Sequence, residues 1–461
     1  MALQDIETII IVIMENRSFD HVLGYLSLPG AGQMSVEGLQ SDGDWLDAHA
    51  NIHNGVVYPS APLDPAVQAI VDPSHSRETI ATQINTPSQG GGLMGGFVTS
   101  YANLTTPAPA SSDFGQAMGY YDAAAVPIFD FFARNFVVCD HWFAALPAGT
   151  QPNRLMAMAG ESQISENGGL LLPNQYLVYN WLSDHKVNWC AYQWGGFFPF
   201  FSLDAEWLPE IMTSLTLMPA SGHFRRYSHF AGQWASSDPM PQVIFIEPEY
   251  GDGPHNDPND DHPPTGIAKG QAFLADIYTT LISNPVRWAS TMMIVTYDEH
   301  GGFFDHVPPL AIPQIVGAVQ FETTGVRVPA FVISPQVAPG KVFNPNLDHT
   351  AILQLLDDKF SAGEGYSVSV NARQGRIDRI RNILEPISTS PQAPEIEHAT
   401  ASALRAVAAT SPLAPQLGSS PADPPNAQAF HQVALKAAAD HPNLLAHPEW
   451  ASVRSYLASV Q

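Results

Sequence analysis

Cysteine is nearly absent: only Cys139 and Cys190 occur in 461 residues. Two thiols exclude a multi-bridge disulfide framework and any cysteine-rich metal site. They fit either two buried thiols or a single disulfide, so the redox compartment stays open. Basic residues are also scarce, with 19 Lys and Arg against 44 Asp and Glu and a formal net charge of −25. Such a surface repels a polyphosphate backbone, which argues against nucleic acid as a partner. It equally disfavours electrostatic docking on anionic membranes, whereas approach to zwitterionic lipid stays open. No apolar run has the roughly 20 residues of a spanning helix, so no integral membrane segment is expected. Residues 1–7 carry neither a basic region nor the apolar stretch of a secretory signal. As it stands the chain reads as cytoplasmic, or as secreted if a signal was removed.

What is present points to a large α/β body. Hydrophobic residues make up 45% of the chain, ample for an extensive core. Short β-branched or aromatic runs at 8–14, 187–194, 243–246, 291–297 and 328–334 suit strands buried on both faces. Helix-like segments at 126–135 and 270–283 alternate with them, which predicts a largely parallel central sheet flanked by helices. Residues 33–106 read as a loop-rich elaboration over that sheet. From about 386 the composition shifts to Pro, Ser and Ala. The expected division is a catalytic domain over 1–385 and a linker with helical segments over 386–461, the helices at 395–410, 427–440 and 448–460.

Ligands of open α/β sheets sit beyond the carboxyl ends of the strands, so the residues just after each run matter most. The first run ends in Glu15-Asn16-Arg17-Ser18-Phe19-Asp20, whose oxygen donors suit a hard or borderline cation. The run at 291–297 leads into Asp298-Glu299-His300-Gly301-Gly302, with Asp305 and His306 close behind. Two glycines there permit close backbone approach to a ligand. A third polar stretch, Asn256 to Pro264, holds Asp260, Asp261 and His262, any of which could bind metal or phosphate. Finally, Gly149-Thr150-Gln151-Pro152-Asn153-Arg154 opens an apolar helical run. A hydroxyl there caps a helix, or meets an anion at its N-terminus. Asn153 and Arg154 supply a donor and a charge suited to phosphate oxygens. Each feature alone also fits an ordinary loop or cap. Together they fit metal-assisted phosphoryl transfer.

In these motifs the sequence resembles the phosphoesterase family of bacterial and plant phospholipases C and bacterial acid phosphatases. The resemblance rests on Glu-Asn-Arg-Ser-Phe-Asp at 15–20, Thr-Gln-Pro-Asn-Arg at 150–154, Asn-Asp-Asp-His-Pro at 259–263 and Tyr-Asp-Glu-His-Gly-Gly-Phe at 297–303. Asp-Pro-Ser-His at 72–75 and Gly-Gly-Phe-Val at 95–98 join them in the same order. It implies an alkaline-phosphatase-like sandwich and one divalent metal ion on Glu15, Asn16, Thr150, Asp298 and Glu299. Ca²⁺, Mg²⁺ or Mn²⁺ are favoured by the oxygen donors, with Zn²⁺ open. Thr150 would be the covalent nucleophile, where the acid phosphatase branch has serine, and His75 and His262 would flank the phosphate. Asn153, Arg154, His300 and Asp261 complete the expected substrate-binding set. The expected substrate is a phospholipid of the phosphatidylcholine type. A broad phosphomonoesterase and a phosphate-binding protein without turnover are the alternatives. The sequence leaves the oligomeric state unset.

Overall fold

A computed structural model describes residues 2–410 except 31, 65–69, 106, 169–171, 195–221, 252–257 and 385–392, with isolated positions beyond. Among the described residues the central sheet has eight strands. In chain order they are β1 (Thr8–Met14), β2 (Val137–Cys139), β3 (Trp189–Gln193), β4 (Phe224–Arg226), β5 (Val243–Glu247), β6 (Thr291–Tyr297), β7 (Ala330–Ile333) and β8 (Lys341–Phe343). Their spatial order is β8-β2-β7-β6-β1-β5-β3-β4. β1 lies centrally, parallel to β5 on one side and to β6 on the other. Only β7 runs against its neighbours β6 and β2. The α/β, largely parallel reading therefore holds. β1 and β6 occupy the expected residues, and all seven side chains of each are buried. Continuous Ile and Val suit this double burial, because both faces are covered by other elements.

The helices that frame the sheet and its pocket are α1 (Phe19–Leu23), α2 (Arg77–Asn85), α3 (Phe97–Ala102), α4 (Pro127–Asn135), α5 (Thr150–Ala159), α6 (Ala268–Ile282), α7 (Thr350–Phe360) and α8 (His398–Thr410). α4 begins at a proline, whose fixed φ and missing N–H cost nothing in a first turn. α5 ends at Gly160, at φ 76°, the left-handed conformation that closes many helices. α8 packs on α6 with Leu404 buried, and Tyr278 of α6 donates its hydroxyl proton to the carbonyl of Pro394 at 2.5 Å. The helices expected at 427–440 and 448–460 lie outside the described residues, save isolated positions.

The 33–106 segment is more ordered than a loop-rich reading suggests. It contains α2, α3 and a hairpin of Asn51–His53 against Val56–Tyr58. Asn54 and Gly55, both at positive φ, make its two-residue turn. These pieces form a lobe over the loop that follows β6. Among the described residues no helix is long and apolar enough to cross a membrane.

Candidate active site

The strand register brings the first donors together. Met14 of β1 is paired with Tyr297 of β6, so Glu15 and Asn16 emerge beside Asp298 and Glu299. The Asp298 amide donates to the Met14 carbonyl at 3.0 Å. The Asp298 Oδ1 carboxylate oxygen accepts from the amides of Asn16 (3.2 Å) and Glu299 (2.7 Å). Asn16 has φ 62°, a left-handed conformation that asparagine tolerates better than most residues. Gly301 is needed opposite it, because a Cβ there would meet the Asn16 carbonyl oxygen at 2.2 Å.

Thr150 is the first residue of α5, with Gly149 as its cap. One turn on, Arg154 joins this helix to the strands. Its Nη2 donates to Glu15 Oε1 at 3.0 Å and to the Ile13 carbonyl at 3.1 Å, and its Nε lies 3.9 Å from Asp298 Oδ2. Residues four apart share a helix face, so Thr150 sits on the face that Arg154 turns toward β1 and β6. Arg154 Nη1 donates to the Tyr250 hydroxyl at 2.9 Å, which donates to Glu247 Oε2 at 2.6 Å. Asn153 serves the backbone. Its Oδ1 accepts from the Leu146 amide, and its Nδ2 donates to the carbonyls of Leu146, Ala148 and Gly149. It thereby fixes the turn that delivers Thr150.

Four side-chain oxygens of this group are buried without a hydrogen-bond partner: Asn16 Oδ1, Thr150 Oγ1, Asp298 Oδ2 and Glu299 Oε1. A polar atom stranded this way costs about 1–3 kcal/mol. All four belong to expected metal ligands, and buried oxygens of this kind are the donors a hard divalent cation takes. Glu15, the fifth expected ligand, is held in place by Arg154. Burial pushes the Asp298 carboxyl up to about 6, reinforced by Glu299 and opposed by Arg154. Burial also pushes Glu299 upward, but His75 and His300 outweigh it and hold that carboxyl below its ordinary value.

The histidines divide into distinct roles. His75 Nδ1 donates to the Pro73 carbonyl at 3.0 Å, and the ring lies 3.4 Å from Asn16 Nδ2. Burial alone would depress its pKa, yet Glu299, Asp72 and the Pro73 carbonyl raise it to about 9. Asp72 lies between two rings, 3.9 Å from His75 Nδ1 and 3.8 Å from His262 Nε2, and the rings are 5.8 Å apart, edge to face. His300 stands behind Glu299, with Nδ1 3.4 Å from Glu299 Oε2 and Nε2 2.9 Å from Gln83 Oε1.

Two runs that looked like single clusters are split. Asp260 accepts from the amides of Gly251 and His262. Asp261 instead takes the Tyr297 hydroxyl proton at 2.6 Å, and burial raises its pKa to about 7. Asn256 and Asp257 lie outside the described residues. Asp305 and His306 leave the Asp298–Glu299 group and join Asp20. There Arg327 supplies the positive charge, 2.9 Å from Asp305 Oδ1 and 3.2 Å from Asp20 Oδ1. Asp72, Gln83, Tyr250 and Arg327 have no role that the sequence alone suggests. The same is true of His349, which donates from Nε2 to the Asp298 carbonyl at 2.6 Å and accepts at Nδ1 from Trp142.

Fold and site together define an α/β protein with buried, oxygen-rich side chains gathered at the carboxyl ends of its central strands. The chain belongs to the Phosphoesterase family, which it matches over residues 6–362. It is 30% identical to non-specific phospholipase C1 of Arabidopsis thaliana over 74% of this chain, and spans 62% of that protein. It is 29% identical to phospholipase C A of Mycobacterium tuberculosis, over 78% of this chain and 73% of that one. Among solved structures, the lipoteichoic acid synthase LtaP of Listeria monocytogenes aligns with 80% of this chain and 76% of its own at a TM-score of 0.36 and 8% identity. A protein of the alkaline phosphatase superfamily from Vibrio parahaemolyticus covers 72% of this chain and 84% of its own, with a TM-score of 0.33 and 11% identity. Overlaps this low carry no argument about chemistry, and the site is read from its own residues.

Proposed function

We propose that the protein hydrolyses phosphoesters, cutting the glycerol-side bond of a phosphatidylcholine-type phospholipid through a covalent adduct on Thr150. The observation that carries this reading is the set of four partnerless buried oxygens on Asn16, Thr150, Asp298 and Glu299. These residues, with Glu15, would hold one divalent cation, Ca²⁺, Mg²⁺ or Mn²⁺ before Zn²⁺, which when bound neutralises the acids and lowers the pKa of a coordinated hydroxyl. The Thr150 hydroxyl gives up its proton to water, its oxygen attacks phosphorus, and the phosphorus–oxygen bond to glycerol breaks. His75, beside Asn16 and Asp72, and His262, on the other side of Asp72, are suited to giving a proton to the departing alkoxide. Water then cleaves the phosphothreonine and releases the phosphorylated head group. Arg154 keeps Glu15 and α5 in register. Asn153 holds the turn before Thr150, and His300 orients Glu299. Asp261, its pKa raised to about 7 by burial, accepts a hydrogen bond from the Tyr297 hydroxyl.

The test is a panel of purified protein on short-chain phosphatidylcholine, a chromogenic phosphodiester and a chromogenic phosphomonoester. Diesters should turn over at least as fast as the monoester. A strong monoester preference across pH 4–8 would assign the protein to the acid phosphatases instead, and no turnover of any ester would reject an enzymatic role.

A further inference from the structure

We propose that the hairpin spanning residues 51–58, with the adjacent turn at Leu93, is the surface by which the protein seats on a net-neutral, zwitterionic phospholipid bilayer. This rests on the phospholipid reading above and goes beyond it, because it concerns where the lipid surface is met. Ile52, Val56, Val57 and Leu93 are 44%, 52%, 43% and 49% exposed. Other large exposed apolar side chains in the described catalytic region, among them Tyr176, Val286, Ile315 and Val368, come from separate elements. Here four come from one small lobe. Ile52 is paired with Val57 across the hairpin, so both side chains rise from the same face, while Val56 lies across from His53. The Leu93 turn is tied on beside the hairpin. The Asn51 side chain donates to the Met94 carbonyl at 3.0 Å, and the Gln89 amide donates to the Ala50 carbonyl at 3.2 Å.

The charge pattern selects the occupant. No Asp, Glu, Lys or Arg occurs between Asp47 and Asp64 or between Glu78 and Asp113, in a chain that is 14% charged and carries a net −25. An anionic bilayer would repel the rest of the molecule, and the lobe offers it no lysine or arginine. A zwitterionic surface has no net charge to answer. It accepts branched aliphatic side chains into the headgroup boundary and is where such a substrate is presented.

The hairpin is linked to the site through α3. Asn51 Oδ1 accepts from the amides of Phe97 and Val98 at the start of α3. The Phe97 ring meets His300 edge-on at 6.0 Å, and His300 backs Glu299. Gln83 of α2 bonds both His300 and the carbonyl of Ser74, next to His75. A surface seated at 51–58 therefore connects to both halves of the pocket through two packed side chains.

The experiment compares full-length protein with an Ile52→Thr/Val57→Thr variant, which keeps β-branched residues in the strands. Val286→Ser is the control, since Val286 precedes β6 at the end of the strand away from Asp298. Each is co-sedimented on ice with phosphatidylcholine vesicles, and turnover is measured separately on a short-chain phosphatidylcholine below its micelle concentration. Wild type and Val286→Ser should bind the vesicles. The double variant should bind about tenfold more weakly or worse, as expected for two aliphatic side chains withdrawn from the interface, with unchanged turnover of the monomeric lipid. Equal vesicle binding by the double variant overturns the proposal. So does a wild type that hydrolyses monomeric lipid without binding vesicles, or a self-association by sedimentation velocity that the double substitution abolishes. Failure to hydrolyse the monomeric lipid while vesicle binding still depends on Ile52 and Val57 would reject the catalytic reading and leave the docking surface standing.

Discussion

Thr150 has two demands on it, since it opens a helix and leaves its hydroxyl without a partner inside the protein. Thr150→Ala should lower kcat by on the order of 10³-fold or more while substrate binding persists. Thr150→Ser should retain part of the activity, and acid-quenched mass spectrometry should find the adduct on the peptide containing residue 150. Near-normal turnover by Thr150→Ala would mean that water attacks phosphorus directly. A second residue-scale outcome concerns His349. Burial lowers its pKa from 6.5 to about 4, so between those values the folded protein binds fewer protons than the unfolded chain. Its contribution is fully present above 6.5 and is lost as pH falls toward about 4, with an upper bound on the order of 3 kcal/mol. His349→Gln does not titrate, so the stability difference between wild type and variant should change across that window and stay flat above it. Denaturant melts at stepped pH values read this directly; a constant difference from pH 4 to 8 would sink it. Glu15, Asn16, Thr150, Asp298 and Glu299 stand out in the sequence because each follows an apolar run or opens a helical one, and it is the family resemblance that makes them one set. Gln83 and His349 do not. They act on partners far along the chain, His349 on Asp298 for instance, and no local spacing records such a contact.

Secondary elements behaved the same way. β1 and β6 could be read residue for residue, because seven consecutive buried positions, mostly apolar, leave a continuous signal. The three-residue strands β2, β4 and β8 could not, since their pairing depends on neighbours supplied from elsewhere. The direction of β7 was equally hidden, because an apolar run reads the same either way. The turn after β6 gives the element-scale prediction. Gly301 has φ 61°, and its missing side chain makes room for the Asn16 carbonyl. Gly301→Ala should fold, with a lower melting temperature, and lose at least tenfold in kcat as Asn16 and Glu299 are pushed out of register, an effect of the size that small misplacements produce. Wild-type kinetics in this variant would show that the close approach is not required. Asn153→Ala, which strands the backbone groups around residues 146–149, should cost about 2–4 kcal/mol of stability by thermal or denaturant melts.

At the scale of the whole molecule, cation binding and folding are expected to be linked. A divalent ion that binds only the folded state at a hundred times its Kd adds about 2.7 kcal/mol. Chelated protein should therefore melt lower than protein with Ca²⁺, Mg²⁺ or Mn²⁺, and an Asp298→Asn/Glu299→Gln variant should show no ion-dependent shift. An identical shift in that variant would place the ion elsewhere. The sheet order has a consequence for how the molecule comes into being. β1 sits between β5 and β6, yet Ile9 meets Val243 and Thr8 meets Thr291. On a ribosome moving at about 5–20 residues per second, the first strand waits roughly 15–60 s for its second neighbour. Until residue 247 emerges, an uncharged, proline-free Ile-Ile-Ile-Val-Ile segment has both edges open, and one edge stays open until residue 297; such a composition self-associates readily. The strand that later organises the pocket is thus an aggregation hazard while the chain is being made, until residue 297 emerges.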